Sequence, residues 1–273
     1  MNNKKNNSLL NKYYDTKSNL ANYREEFKKI KINIKQTKKD HKGIIKKILS
    51  LDTNDLNPEL QLIKEHYTNH KSNVISEVFN AISHGLGVIF GIVLLILLII
   101  KARTTVEYIA YSIYSFSFIM LFLASTLYHS LSFTKARKTF KKIDHSSIFV
   151  LIAGTYTPYL LITLYNHNGL YYFIGIWTIA VLGIFLKIFF FEISLKIGPI
   201  LYILMGWLSV FIIKDLYNLI NLNAIILLAL GGLAYTGGVY FYKKKSMKFS
   251  HVIWHLFVLL GAILMFVSIY KYV

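Results

Sequence analysis

The stretch VFNAISHGLGVIFGIVLLILLII, from Val78 to Ile100, decides the fold class. It runs for 23 residues without a single Asp, Glu, Lys or Arg. A helix needs about 20 consecutive apolar residues to cross the hydrocarbon core of a bilayer. The length and composition of this stretch therefore predict a membrane-spanning helix rather than an element of a water-soluble domain.

Six further apolar runs follow along the chain, and the connections between them are short. The seven predicted spans lie at 76–100, 106–130, 143–165, 169–191, 197–214, 222–242 and 250–270. The fifth is the shortest, and Pro199 is expected in its first turn, where proline is tolerated. The pattern predicts an all-α protein, a bundle of seven transmembrane helices that belongs to a membrane as an integral, multi-pass protein. It does not indicate which membrane.

The charge is divided unevenly between two parts of the chain. Residues 1–72 carry 16 Lys or Arg and 8 Asp or Glu, whereas residues 73–273 carry 15 and only 5. We interpret 1–72 as a basic, Asn- and Lys-rich extension and 73–273 as the membrane domain. The composition of 1–72 is typical of a largely disordered segment. An alternative is a basic amphipathic helix over 24–50 that lies on an anionic membrane surface. Since the net charge of +18 resides in this extension and in short loops, we expect no nucleic-acid partner.

The basic loops predict the orientation of the bundle. The loops 131–142, 192–196 and 243–249 hold ten Lys or Arg, and the connections on the other side hold four. Loops rich in Lys and Arg stay on the cytosolic side. We therefore expect a cytosolic N-terminus and a C-terminus on the opposite side of the membrane.

Ionisable and polar side chains in the predicted spans cluster at the cytosolic level. Because charged groups are costly inside a membrane, each is a candidate functional residue. They come from the start of the first span, the end of the second and the starts of the third and seventh. The set is Glu77, Asn80, His84, Ser125, His129, Asp144, His145, His251 and His255.

The histidines have the spacing of a metal site. His251 and His255 are four residues apart, so they share one face of a helix and can bind one ion. His129 can supply a third nitrogen from the second helix. Three protein ligands and a water molecule form the open arrangement of a catalytic zinc site, in which the metal lowers the pKa of the water to about 7.

Other members of the cluster have candidate roles around such a metal. Ser125, one turn before His129, could bond the water or an oxyanion, and Asp144 could hold the water as a general base. Glu77, Asn80 and His84 could orient the ligands. Ordinary structural roles are the alternatives. Ser125 could make an interhelical hydrogen bond, and His84 could pack beside Gly85 and Gly87.

His145 has a simpler interpretation. It follows Asp144 at the predicted start of the third span, near the membrane interface. We expect it to be solvated there.

At these residues the sequence resembles the hemolysin III family, which is grouped with the progestin and adipoQ receptors and more distantly with alkaline ceramidases. The motifs are Glu77-x-x-Asn80-x-x-x-His84-Gly85, Ser125-x-x-x-His129, Asp144-His145 and His251-x-x-x-His255. The resemblance covers about 74–271 and leaves the extension outside it. It implies a seven-helix bundle in which zinc is held by His129, His251 and His255, with Asp144 and Ser125 beside the zinc-bound water.

The resemblance implies membrane lipids as partners but leaves three activities open. The first is a zinc-dependent hydrolase that cleaves a lipid amide, as ceramidase-like relatives do. The second is a pore-forming cytolysin, which follows from the family name and would act through homo-oligomers or indirectly through lipid damage. The third is a receptor-like regulator in which the zinc is purely structural.

Overall fold

The computed structural model describes residues 25, 28–33, 35–52, 58–244 and 246–273. Contacts between Cα atoms divide the chain into two units, Met1–Ser72 and Asn73–Val273. In the first unit, residues 28–33 and 35–50 are helical, which matches the helical alternative considered for 24–50. The lysine-rich helix leaves Ile30, Ile32 and Ile44 exposed. Residues 58–72 are also helical, as the first part of a longer helix, whereas the disordered state expected for 1–24 falls outside the described residues.

Seven helices of the second unit are long and apolar enough to cross a membrane. We number the spanning helices α1 to α7. They are α1 (Pro58–Lys101, which spans from Asn73), α2 (Thr105–Ser130), α3 (Arg137–Pro158), α4 (Gly169–Phe189), α5 (Phe191–Trp207), α6 (Leu222–Lys243) and α7 (Ser250–Tyr272). The described residues contain no β-strand, so the prediction of an all-α, seven-helix membrane protein is confirmed. Large apolar side chains such as Ile89, Ile100 and Phe211 are exposed on the bundle, as expected of a surface that faces lipid.

The fifth span differs from its predicted form. Helix α5 begins at Phe191, so Pro199 lies well inside it and the prediction of a first-turn proline is wrong. Since proline lacks an N–H, one hydrogen bond of this helix is missing. The span then continues as a 3-10 turn, Leu208–Phe211, and a short separate helix, Ile213–Leu219. The fifth span is therefore irregular in two places, at Pro199 and after Trp207.

Close helix packing holds α2 against α3 and α6 against α7. At Gly154 of α3, an added Cβ would overlap the Ser117 side chain of α2, so glycine lets the two backbones approach. Phe118, Phe122 and Phe149 are almost fully buried in the core beside this contact. The start of the spanning part of α1, the starts of α3 and α7 and the end of α2 meet at one end of the bundle.

Candidate metal centre

Three histidines meet at that end of the bundle. The ring centroids of His129 and His251 are 5.2 Å apart, those of His129 and His255 are 4.8 Å apart, and those of His251 and His255 are 4.7 Å apart. One ligand nitrogen from each ring lies within 4.8 Å of the other two. The fold therefore brings the three nitrogens together, although His129 in α2 is far in sequence from the two histidines of α7.

His129 is oriented by a carboxylate. Its Nδ1 lies 2.5 Å from Glu77 Oε2, and Arg137 Nη2 donates to Glu77 Oε1 at 3.0 Å. The Asn80 amide lies 3.5 Å from the same ring nitrogen. Since a carboxylate accepts, Nδ1 carries the proton and Nε2 keeps its lone pair. Glu77 and Asn80 thus lie beside His129, and their role in orienting a metal ligand stays a prediction.

A side chain of α1 also lies beside the Nδ1 atom of His255. Ser83 Oγ donates to the Asn80 carbonyl at 2.9 Å, which leaves the lone pairs of Ser83 free to accept. His255 Nδ1 lies 3.4 Å from that oxygen, so it can donate there and expose Nε2. Helix α1 therefore fixes the orientation of two histidines that belong to α2 and α7. Such hydrogen bonds to the second ring nitrogen usually accompany metal-binding histidines.

The chemistry of this set fits a metal ion. His129 Nε2 is buried and has no hydrogen-bond partner within the described part of the chain. A buried polar atom without a partner is costly, and an ion at the centre of the three rings would satisfy it. Zinc binds nitrogen at about 2.0–2.1 Å, so the three rings would have to move closer together to hold one ion. Three imidazole nitrogens suit a nitrogen-binding transition metal better than the oxygen-preferring cations.

A cavity of about 330 Å³ opens beside the histidines. His84, Ser125, Asp144, His251 and His255 line its polar end. The rest of the wall is mostly apolar and extends along the bundle to residues of the short helix, among them Ile213 and Leu216. The cavity therefore joins a polar cluster to a long apolar interior.

Two further candidates lie on the cavity wall. Ser125 is buried, and its Oγ has no partner among the described residues. Asp144 Oδ2 lies 3.2 Å from His145 Nδ1. His145 is itself buried and lines the cavity, so the expectation that it is solvated at the interface is wrong. His145 therefore belongs to the polar end of the cavity rather than to a solvated surface.

His84 packs directly on the histidine cluster. Its ring stacks on that of His255 with centroids 3.6 Å apart, and Phe122 contacts it edge-on at 4.9 Å. It also lines the cavity. This position is compatible with both interpretations of the sequence, a residue that orients His255 and a residue that packs between close helices.

The sequence analysis missed two residues of this site. Arg137 was counted as a loop charge, yet it lies in α3 and holds Glu77. Ser83 was not considered, although it comes one residue before His84. Its spacing from Asn80 would have suggested that both side chains face the same neighbour.

The sequence pattern of the family described as "Haemolysin-III related" matches residues 72–266. The chain belongs to the haemolysin-III-related family. "Hemolysin-3" of Bacillus cereus is 43% identical over 212 residues, which cover 77% of this chain and 97% of that protein. "Hemolysin-3 homolog" of Bacillus subtilis is 40% identical over 199 residues, 72% of this chain and 93% of that protein.

More distant similarity extends to animals. "Monocyte to macrophage differentiation factor" of Homo sapiens is 31% identical over 170 residues, which cover 59% of this chain and 68% of that protein. This relative supports the wider superfamily expected from the motifs. The matched region, 72–266, includes the spanning part of α1, all of α2 to α6, most of α7 and all the residues of the candidate metal centre.

Proposed function

We propose that this haemolysin-III-related protein is a zinc-dependent hydrolase that cleaves the amide bond of a membrane lipid, with His129, His251 and His255 as the metal ligands. The observation that carries the proposal is the junction of the three-histidine cluster with a long, apolar cavity. Pockets of about 300–1,000 Å³ bind small molecules. An acyl chain in the apolar part would bring its amide to the histidines.

The residues divide the chemistry as follows. A bound zinc ion supplies Lewis acidity and a more acidic water molecule. Asp144 accepts a proton from the attacking water and delivers it to the leaving amine as the carbon–nitrogen bond breaks. Ser125 donates its free hydroxyl hydrogen to the carbonyl oxygen on which negative charge develops. The apolar wall orients the acyl chain and excludes bulk water from the polar end.

The experiment uses the purified full chain in lipid nanodiscs with an N-acyl sphingoid lipid, and mass spectrometry measures the released fatty acid. We expect turnover with zinc and loss after chelation. Asp144→Asn should lower the rate by about 10²–10⁴-fold, the usual contribution of a general base. Ser268→Ala, at the other end of the bundle, is the matched control. Unchanged turnover in Asp144→Asn, or after complete zinc removal, would rule out this mechanism.

A second candidate function is a pore-forming cytolysin. It is favoured by the name of the Bacillus cereus relative, which is 43% identical over nearly its full length. Red-cell lysis that polyethylene glycols suppress above a size threshold would support a pore of homo-oligomers. Lysis by wild type but not by Asp144→Asn would instead assign it to lipid damage. Zinc that stabilises the bundle without any turnover would favour the receptor-like regulator.

We further propose that the N-terminus is cytosolic, because the most basic loops lie at the histidine end. A single cysteine introduced into the cysteine-free chain at Lys138 should react with an impermeant maleimide only after the cells are opened. Labelling in intact cells would show that the N-terminus lies on the outer side of the membrane.

A further inference from the structure

Lys187 is a buried cation that the proposed hydrolysis does not use. It lies near the end of α4 and is only 1% exposed. It lines the same cavity as Asp144 and His255. An ionisable residue at membrane depth is costly unless it has a partner. Because Lys187 lines the cavity, a molecule in the cavity can supply that partner.

The described residues satisfy only part of the hydrogen-bonding capacity of the Lys187 ammonium group. Nζ donates to the Ser194 carbonyl at 2.7 Å and lies 5.4 Å from the centroid of the Tyr202 ring. An ammonium group has three N–H donors, and among the described residues this carbonyl is its one hydrogen-bond acceptor. No carboxylate of those residues lies within 4.0 Å of it. Asp144 attracts its charge from farther away, and Lys141 repels it.

The neighbouring helix leaves room for the ammonium group. A Cβ added at Gly198 of α5 would lie 2.5 Å from Lys187 Nζ and 3.3 Å from its Cε. Glycine at this position therefore keeps the space that the lysine head occupies. The irregular fifth span, with Pro199 next to this glycine, brings the wall of the cavity to Lys187.

Lys142 provides an internal comparison. It also donates to a carbonyl, that of Ile188 at 3.1 Å, and its Nζ lies 5.7 Å from the centroid of the Phe191 ring. Lys142 is exposed, however, so water can satisfy its remaining donors. The two lysines differ in burial and in access to the cavity rather than in their protein partners.

We propose that Lys187 binds the oxyanion of a single-chain lipid, a carboxylate or a phosphate, whose tail occupies the apolar part of the cavity. The two unpaired N–H donors match two oxygens of such a group, and charge-assisted bonds of this kind are strong. This binding requires neither the metal nor hydrolysis. It therefore assigns a second recognition point to the cavity, apart from the three histidines.

The length of the cavity fits an extended chain. Its wall runs from Asp144 in α3 to Tyr159, directly after that helix, and these fifteen steps rise roughly 22 Å at 1.5 Å per residue. Half of the hydrocarbon core of a bilayer is about 15 Å thick. The cavity is thus long enough for an extended lipid chain.

Two tryptophans provide the measurement. Trp207 and Trp254 line the cavity, so a lipid with a brominated tail should quench their fluorescence. The ligands are a brominated fatty acid, a lysophosphatidic acid with the same chain and the corresponding fatty alcohol. They are titrated against the full chain in detergent with a chelator present. We expect wild type to bind at least one anionic lipid more tightly than the alcohol, and the tighter anion identifies the head group.

The variants separate recognition from structure. Lys187→Met should weaken anionic binding by about 10–100-fold, since it removes a charge-assisted hydrogen bond, and should leave alcohol binding unchanged. Lys142→Met should change neither, and Lys187→Arg should keep the preference for anions. Equal binding of anions and alcohol by wild type would overturn the proposal, even if Lys187→Met fails to fold. Equal loss of both ligands in Lys187→Met would also overturn it, because that result indicates a structural role.

Discussion

Two sets of buried side chains, one at each end of the bundle, differ in their hydrogen-bond partners. At one end, the Tyr159 hydroxyl donates to Ser268 Oγ at 2.7 Å, and Ser268 donates to the Ala224 carbonyl at 3.0 Å. At the histidine end, Ser125 Oγ and His129 Nε2 are just as buried but have no partner among the described residues. The first arrangement ties three helices together. The second leaves binding capacity unused, and the difference separates a structural polar cluster from a binding site.

The largest expected effect is on metal content. His251→Ala/His255→Ala removes two of three ligands, so bound zinc should fall from about one ion per chain to background. Tyr159→Phe, which alters the other end, should keep the full content. Plasma emission spectrometry of both purified variants measures this. Zinc retained in the double variant would show that the three-histidine cluster is not the metal site.

A smaller loss of metal is expected from the side chain that holds His129. Glu77→Gln keeps the shape of Glu77 but removes its charge, so it should weaken zinc affinity about 10–100-fold, as for other groups that orient ligands. Competition with a chromogenic chelator measures the affinity. Arg137→Gln should change it in the same direction by a smaller factor. An unchanged affinity in Glu77→Gln would assign that residue to packing alone.

At the opposite end, the effect should be on stability only. Tyr159→Phe leaves Ser268 without its donor and should destabilise the bundle by about 0.5–2 kcal/mol, as for interhelical hydrogen bonds in other membrane proteins. Thermal unfolding in detergent measures the shift. A lowered zinc content in this variant would mean that the two ends are coupled and would weaken the contrast.

The smallest expected change in stability belongs to Ser125→Ala. Because its hydroxyl has no partner, its removal should alter the free energy of unfolding by less than about 0.5 kcal/mol. The same thermal assay, run beside Tyr159→Phe, measures this. A loss as large as that of Tyr159→Phe would show that Ser125 makes an interhelical bond and belongs with the structural group.

Much of this arrangement follows from local sequence. Seven apolar runs predicted seven spans because a bilayer demands a minimum length of each. The depth of each histidine followed from its place within its span, and that placed His129, His251 and His255 together. Length and depth are one-dimensional properties, which explains why they could be predicted from the sequence without knowledge of packing.

The rest depends on packing between helices. The start of α5 at Phe191 was missed because Glu192, Ser194 and Lys196 interrupt the apolar run, although they continue the helix. Arg137 was likewise assigned to a loop, although it is the first residue of α3. Lys187 had a signal in the sequence, since it is the one Lys or Arg of 73–273 outside the loops and segments used for orientation. Its contact with Gly198 could not be predicted, because it depends on how α4 meets α5.

The division of the candidate metal centre between the first, second and last spanning helices bears on how the protein is made. Glu77 and His129 leave the ribosome first, whereas His251 and His255 follow more than 100 residues later. At about 5–20 residues per second, the early half of the centre waits in the membrane for many seconds before its counterpart exists. Any ion that all three histidines share can be captured only after α7 has joined the earlier helices, so metal loading would report that all seven spanning helices have assembled.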